Sequence, residues 1–563
     1  MARWTKVLLC FLLIATMLVG CNQPTSDSPN LDTKPTNGEN QNQEQPAETL
    51  QDRLNYYTTL GSSPDDNYRT WYQILIYSFC DSNGDGIGDI QGLISKLDYL
   101  QELGITGLWL LPIHPSESYH GYDVDDYYAI NPNYGTMADF DQLLVECESR
   151  NIKVVLDLVV NHTSANHPWY TAAVDYLQNL GLGGYGYEDE CKYFGYYNFV
   201  ESETNPGTSY SKVGGTMYHV ECDFGANMHD LNWDSEEMRA EIADIMRFWL
   251  EKGVHGFRID AAKHFYSSSV TKNVEVLKWL QETATSIKPD AYMVAEVWET
   301  NYGVLAEYYT SGMTSIFNYA VGSYSGKLMS VVNSRGNAKT ANSWATALQT
   351  VSAAFTAANP NYIDAPFISN HDIGRSFDFA GKDVQRAKLA GAMNLFMSGS
   401  SFIYYGEEIG MTGGSSDPSR RAPMYWNAER NNGTTDLTPG CVLPANGYPL
   451  GSLEEQKNDE SSIYSYYREA IAIRNALPVI ARGSQNPEEA LNKECISATR
   501  KVWNDQECIL IYNIDREANT VDLSAYADWD LVASLSVSEE KVELEGATLT
   551  MPALGIAILT PKK

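Results

Sequence analysis

The chain has 563 residues, too many for one hydrophobic core, so two or three packed units are expected. Its formal charge of −33 argues against nucleic acid and against an anionic substrate, whose charges it would repel. A neutral polymer and a bound cation both suit that balance, and 37 Tyr and 12 Trp are enough to fill a core and still stack on flat apolar faces such as sugar rings.

Residues 1–20 read as an export signal. Arg3 and Lys6 precede an apolar stretch, 7–19, that is too short for an ordinary membrane-spanning helix. It ends in Leu18-Val19-Gly20-Cys21, which resembles a bacterial lipoprotein cleavage box. That resemblance implies a mature chain beginning at Cys21, with lipid on its thiol, held at the cell surface on a bacterial membrane. The other reading is an ordinary secretory signal cleaved elsewhere. Residues 21–52 are rich in Asn, Gln, Pro, Thr and Glu and read as a flexible tether. In an exported chain Cys191 and Cys222 are the first candidate disulfide pair, because one insertion carries both.

From about residue 68, apolar strands alternate with helical patterns. Strands are expected at 71–79, 106–112, 153–160, 256–261, 292–298, 315–321, 366–370 and 401–406, with helices such as 139–150 between them. Eight strand–helix units predict a closed parallel (β/α)8 TIM barrel, built from residues 53–162 and 234–478. The stretch 163–233 is too long for a strand–helix connection and reads as an irregular domain inserted after the third strand. A helix near 461–476 closes the barrel, and 479–563 turn to short alternating segments, an antiparallel β-sandwich.

Residues 81–89 read Asp-Ser-Asn-Gly-Asp-Gly-Ile-Gly-Asp. Oxygen-bearing side chains at every second position, with glycines for the turn, suit Ca²⁺. The expected ligands are Asp81, Asn83, Asp85, Asp89 and the carbonyl of Ile87. The EF-hand template fails, because its twelfth position is Gly92 rather than Glu. Asn161, in Asp157-Leu158-Val159-Val160-Asn161-His162, is a candidate ligand of a second metal. His162 beside it can hydrogen-bond a substrate hydroxyl. Tyr122, after the second strand in Tyr119-His120-Gly121-Tyr122, is suited to stack on a sugar.

Three acidic residues each end an apolar run: Asp260 in GFRIDAAKH, Glu296 in YMVAEVW and Asp372 in APFISNHD. One such residue is commonly a helix cap. Three on one barrel face, beside Arg258, His264 and His371, are the equipment for cleaving a glycosidic bond.

The segments GLWLLP, DLVVNH, GFRIDAAKH, EVW and FISNHD, in this order, resemble the signature regions of the α-amylase family of glycoside hydrolases. By that resemblance Asp260 is the nucleophile, Glu296 the general acid/base and Asp372 the residue that grips sugar hydroxyls. Arg258 keeps Asp260 ionised. His162 and His371 bind the same ring, Tyr122 floors it with His120 at its side, and Lys263 and His264 contact leaving-group sugars. The resemblance implies retaining hydrolysis of α-1,4 bonds in starch and maltooligosaccharides and fits bound Ca²⁺; a monomer is expected.

Tyr119, where exo-acting relatives carry Asp, suggests an open groove. Ala261, where α-1,6-acting relatives tend to have Val, points to α-1,4 bonds. Met228-His229-Asp230-Leu231-Asn232 resembles a motif, usually with Pro at the second position, that is associated with enzymes intermediate between amylases and oligo-1,6-glucosidases. The 81–89 loop pattern is likewise common among oligosaccharide-acting relatives. Oligo-1,6-glucosidase, α-glucosidase, neopullulanase or 4-α-glucanotransferase activity is therefore the alternative. A non-catalytic starch-binding lipoprotein is a more distant one, and it predicts loss of the three carboxylates.

Overall fold

The computed structural model describes residues 49–61, 64–180, 191–267, 269–334, 338–443, 448–493 and 495–562. The expected signal, Cys21 and the tether up to residue 48 lie outside the described residues. Residues 49–52 were expected in the tether but belong to the fold. Thr49 and Asp52 form a capping box that starts a helix, Leu50–Tyr57. Arg53 ties that helix to Glu469 at 2.7 Å.

Strands Thr70–Ile74, Gly107–Leu110, Lys153–Leu158, Gly256–Ile259, Tyr292–Ala295, Ser315–Ile316 and Ser401–Tyr404 pair in parallel in one seven-stranded sheet. The gap between Ser315–Ile316 and Ser401–Tyr404 is closed by two single bridges, Phe317 to Ala365 and Phe367 to Phe402. The expected strand 366–370 is therefore a barrel stave held by isolated bridges. It leaves the ladder early because the Asn370 side chain accepts the Asp372 and Ile373 amides and turns the chain. The expected strand 315–321 is equally short, since Asn318 Oδ1 accepts the Val321 amide and starts a turn.

The first strand, expected at 71–79, runs only Thr70–Ile74, because the chain turns into a short helical turn at Ile76–Ser78. The remaining barrel strands lie inside their expected spans, because strands buried on both faces read as continuous apolar runs. Aromatic rings plug the interior. Trp71 stacks on Tyr292 at 4.9 Å, and Phe317 meets Trp109 at 5.2 Å and Phe402 at 4.9 Å. Gly107 makes room for this layer: a Cβ there would lie 2.3 Å from the Trp71 ring.

The insertion is more regular than expected. It carries a helix, Pro168–Leu180, a pairing of His162–Ser164 with Met228–Asp230, and a three-stranded antiparallel sheet of Phe199–Glu201, Tyr218–Glu221 and Tyr210–Lys212. Cys191 and Cys222 are not joined: Cys191 Sγ lies 3.7 Å from the Ala172 carbonyl and Cys222 Sγ 3.1 Å from Ser211 Oγ.

Helix Ile463–Ala476 completes the barrel, and a short helix, Pro478–Arg482, leads into the C-terminal sheets of five and three antiparallel strands. Strand Gln506–Asn513 shows why they form layers. Ile509 and Ile511 join Val521, Leu549 and Met551 between the sheets, while Cys508, Leu510 and Tyr512 on the other face join the main core. No helix among the described residues is long and apolar enough to cross a membrane.

Candidate active site

Parallel pairing sets Arg258 between Asp157 on one neighbouring strand and Val294 on the other. Asp260 and Glu296 then follow the ends of adjacent strands, at the face where a barrel keeps its chemistry. One guanidinium holds three carboxylates. Arg258 Nη1 lies 2.6 Å from Asp157 and 2.5 Å from Asp260, and Nη2 lies 2.9 Å from Glu296 Oε1. The Arg258 side chain is only 1% exposed. Ala261 takes a left-handed backbone, φ +48°, which costs a residue with a Cβ about 1–2 kcal/mol. Its amide donates to Glu296 Oε2 at 3.2 Å. The strain therefore sits between Asp260 and Glu296, where it helps fix their orientation.

Asp372 is aimed by the Asn370 turn and gripped from two sides. Arg421 Nη2 lies 2.9 Å from its Oδ1 and His371 Nε2 3.1 Å from its Oδ2. The Gln73 side-chain amide donates to His371 Nδ1 at 2.7 Å, which leaves the imidazole proton on Nε2. That nitrogen is also 2.7 Å from the Tyr122 hydroxyl, which donates to Asp157 at 3.0 Å. A continuous chain thus runs from Gln73 through His371, Tyr122 and Asp157 to Arg258. The Tyr122 and His371 rings are parallel, 5.5 Å apart.

Of the other expected substrate contacts, His162 is buried with Nε2 unpartnered, beside Phe224. His120 Nδ1 accepts the Tyr122 amide at 3.2 Å and so braces that residue. Lys263 donates to the Trp298 carbonyl at 3.0 Å, and His264 packs on Phe224 at 4.8 Å. Trp298, 47% exposed, stacks on Tyr319, whose hydroxyl reaches Glu296. Lys263, His264, Phe224 and Trp298 thus form a rim on the Glu296 side.

The electrostatics modify one sequence expectation. Burial pushes the Asp260 carboxyl well above the usual range; Arg258 opposes this and the Glu296 charge adds to it. Asp372 is pushed up to about 7 by burial and the Glu296 charge, against the pull of Arg421. Its side chain keeps 27% of its surface open, so solvent in the cleft tempers that shift. Arg258 is thus one force on Asp260 among several, and burial with the neighbouring Glu296 and Asp157 charges opposes it.

The metal expectations divide. In the 81–89 loop Gly84 and Gly86 adopt φ +84° and +90°, as the turn requires. Its oxygens, however, accept the loop's own amides: Asp81 from Gly84 and Gly86, Asn83 from Asp85, and Asp85 from Ile87. Asp89 caps helix Ile90–Ser95 through the Gly92 amide. Its three aspartates do not gather. Among the described residues the group that does is Glu221, Asp223 and Asp230, with carboxylate oxygens within 4.8 Å of one another. Asn161 Nδ2 donates to Asp230 at 3.2 Å, and Asn161 Oδ1 is buried without a partner. Burial and the neighbouring Asp223 and Glu221 charges push Asp230 up to about 8. Crowded acidic oxygens plus an orphaned amide oxygen fit a hard divalent cation. The second-metal expectation for Asn161 thus acquires three partners.

Arg421, Asp157 and the Glu221–Asp223–Asp230 group had no role in the sequence reading. Asp157 was detectable as the acidic residue inside an otherwise apolar strand.

The profile of the alpha-amylase catalytic domain matches residues 73–483. Alpha-amylase 3 of Dictyoglomus thermophilum is 38% identical over 81% of this chain and 86% of its own. A probable oligo-1,6-glucosidase 3 of Bacillus subtilis is 29% identical over 73% of this chain and 84% of its own. The solved structure of Eubacterium rectale Amy13B superposes with a TM-score of 0.84 at 38% identity, covering 89% of this chain and 97% of that one. Barrel, carboxylate cluster and similarity converge: the chain belongs to the α-amylase family of glycoside hydrolases.

Proposed function

We propose that this protein is a retaining α-glucan hydrolase that cleaves internal α-1,4 bonds of starch and maltooligosaccharides. The observation that carries the reading is the single guanidinium, Arg258, holding Asp260 and Glu296 together. Two carboxyls tethered that closely suit attack on the anomeric carbon by one of them, rather than the wider gap that an inverting water needs. Glu296 protonates the leaving oxygen while Asp260 bonds to the anomeric carbon; Glu296 then takes a proton from water, which displaces Asp260. Asp372, with His371 and Arg421 behind it, holds the hydroxyls of the reacting ring. The intact carboxylate set argues against a purely binding role.

Similarity to the oligo-1,6-glucosidase supports a second reading, action on short or branched oligosaccharides. Chromatography of products from soluble starch, maltotriose, pullulan and isomaltose separates the two. Rapid shortening of starch is expected. Glucose from isomaltose with starch left intact would contradict the first reading.

We also propose Ca²⁺ at Asn161, Glu221, Asp223 and Asp230, with the 81–89 loop as a second site. A cation at the first site neutralises a group that otherwise repels itself and pins the insertion to the barrel strand end. EDTA is expected to lower the melting temperature, with recovery on added Ca²⁺. Asp230→Asn should abolish the part of the shift that belongs to this site. An unchanged melting temperature would count against both sites. The lipid anchor on Cys21 and a cell-surface location remain part of the proposal, supported by the sequence, and so does a monomeric state.

A further inference from the structure

Every residue of the first barrel strand, Thr70–Ile74, is buried, yet the strand carries Gln73. Side chains two apart share a face, so Gln73 points inward with Trp71, one layer nearer the catalytic end. Its register partners on the neighbouring strands are Trp109 and Tyr404. A buried amide is unfavourable unless it is hydrogen-bonded, and this one is 2.7 Å from His371 Nδ1.

The His371 ring is fully enclosed, with Tyr122 parallel to it and Trp109 edge-on at 5.9 Å. Nε2 faces Asp372 Oδ2 at 3.1 Å and the Tyr122 oxygen at 2.7 Å. Tyr122 gives its one proton to Asp157, so Nε2 is the donor at the shorter contact. At the other edge, an amide N–H aimed at Nδ1 leaves no place for a second proton. Burial and the charges of Arg421, Arg258 and His120 also hold His371 well below the usual histidine range. The acids on the opposing side are Asp372 and, through Tyr122, Asp157.

We infer that Gln73 is a positioning residue: its amide fixes His371 as an uncharged Nε2–H donor, which holds Asp372 without adding a third positive charge beside Arg258 and Arg421. The inference rests on the α-glucan hydrolase reading, in which Asp372 grips the reacting ring. Glutamate at position 73, nearly the same shape, would reverse the arrangement. At low pH its carboxyl and Nδ1 share one proton, and Nε2–H survives. Once that proton leaves, the carboxylate draws the remaining imidazole proton to Nδ1. Nε2 then turns a lone pair toward Asp372 and the Tyr122 oxygen.

Gln73→Glu, Gln73→Met and the wild type are compared on a nitrophenyl maltooligosaccharide from about pH 5 to about pH 9. The ratio of kcat/KM, Gln73→Glu to wild type, should be near one at the acid end. It should fall about ten- to a hundredfold on the alkaline side, the scale of a lost hydrogen bond to a charged group. Gln73→Met neither gives nor takes a proton, so its loss should not vary with pH. A residue that only fills space would give both variants a constant ratio, and that result would overturn the inference. A second measurement needs only the wild type. With isotope-labelled histidine, nitrogen NMR should show one bare and one protonated nitrogen for His371 across this range, the signals being those absent from His371→Asn. A doubly protonated ring, or the proton on Nδ1, would also refute the role of Gln73. A wild type that leaves the maltooligosaccharide uncut would instead sink the hydrolase reading, while the NMR result would still judge Gln73.

Discussion

Asp260→Asn is expected to lose at least about 10⁴-fold in kcat on starch, because removing a covalent nucleophile eliminates the intermediate rather than weakening a contact. Glu296→Gln is expected to lose about 10²–10⁴-fold, the range for a general acid/base, and to lose less on substrates whose leaving group needs no proton. The double variant should be little worse than Asp260→Asn, since the two residues act as one unit. Neither loss comes from unfolding. Burial raises the folded pKa of Asp260 above its unfolded value of 3.8. Its contribution to stability is therefore full below that value and lost as pH rises through the folded one. At neutral pH the neutral amide escapes this cost, so Asp260→Asn should melt no lower than the wild type. Wild-type activity in either variant would refute the assigned roles.

Arg258→Met is expected to abolish activity and also to cost about 3–5 kcal/mol of stability, the usual result of removing one partner from a buried ionic cluster. Asp157 and Asp260 would lose the guanidinium that opposes their desolvation, with Asp157 fully enclosed. Burial already raises both. The sign follows as for Asp260 alone: protonation restores stability at low pH, and the penalty grows as pH rises. Melting curves at about pH 5 and about pH 8 should therefore separate wild type from variant more widely at the higher pH. An equal gap at both would mean that Arg258 serves packing rather than charge.

Much of the fold could be read before folding, for a physical reason. Barrel strands buried on both faces are written as unbroken apolar runs, and an acidic residue that ends such a run is conspicuous. That is why Asp260, Glu296 and Asp372 emerged together with Arg258 and His371. The short staves at 315–316 and 365–367 were overestimated, because single asparagine side chains, Asn318 and Asn370, end the pairing early.

Arg421 stayed hidden because it comes from an irregular loop, 49 residues after the carboxylate that it holds. The acidic group is split between strand Tyr218–Glu221 and strand Met228–Asp230, and only the insertion's folding brings it to Asn161. In the 81–89 loop the spacing was regular enough to predict ligands, but the same oxygens also satisfy the turn's own amides. Local spacing does not distinguish these two uses.

Covalent trapping tests the assigned chemistry most directly. A fluorinated α-glucosyl fluoride that forms the glycosyl-enzyme quickly and releases it slowly should label the wild type, and peptide mass spectrometry should place the sugar on Asp260. Glu296→Gln should still take the label, because fluoride leaves without a proton. A sugar on Glu296, or no adduct with inverted anomeric configuration in the product, would contradict the double displacement and the division of roles built on Arg258.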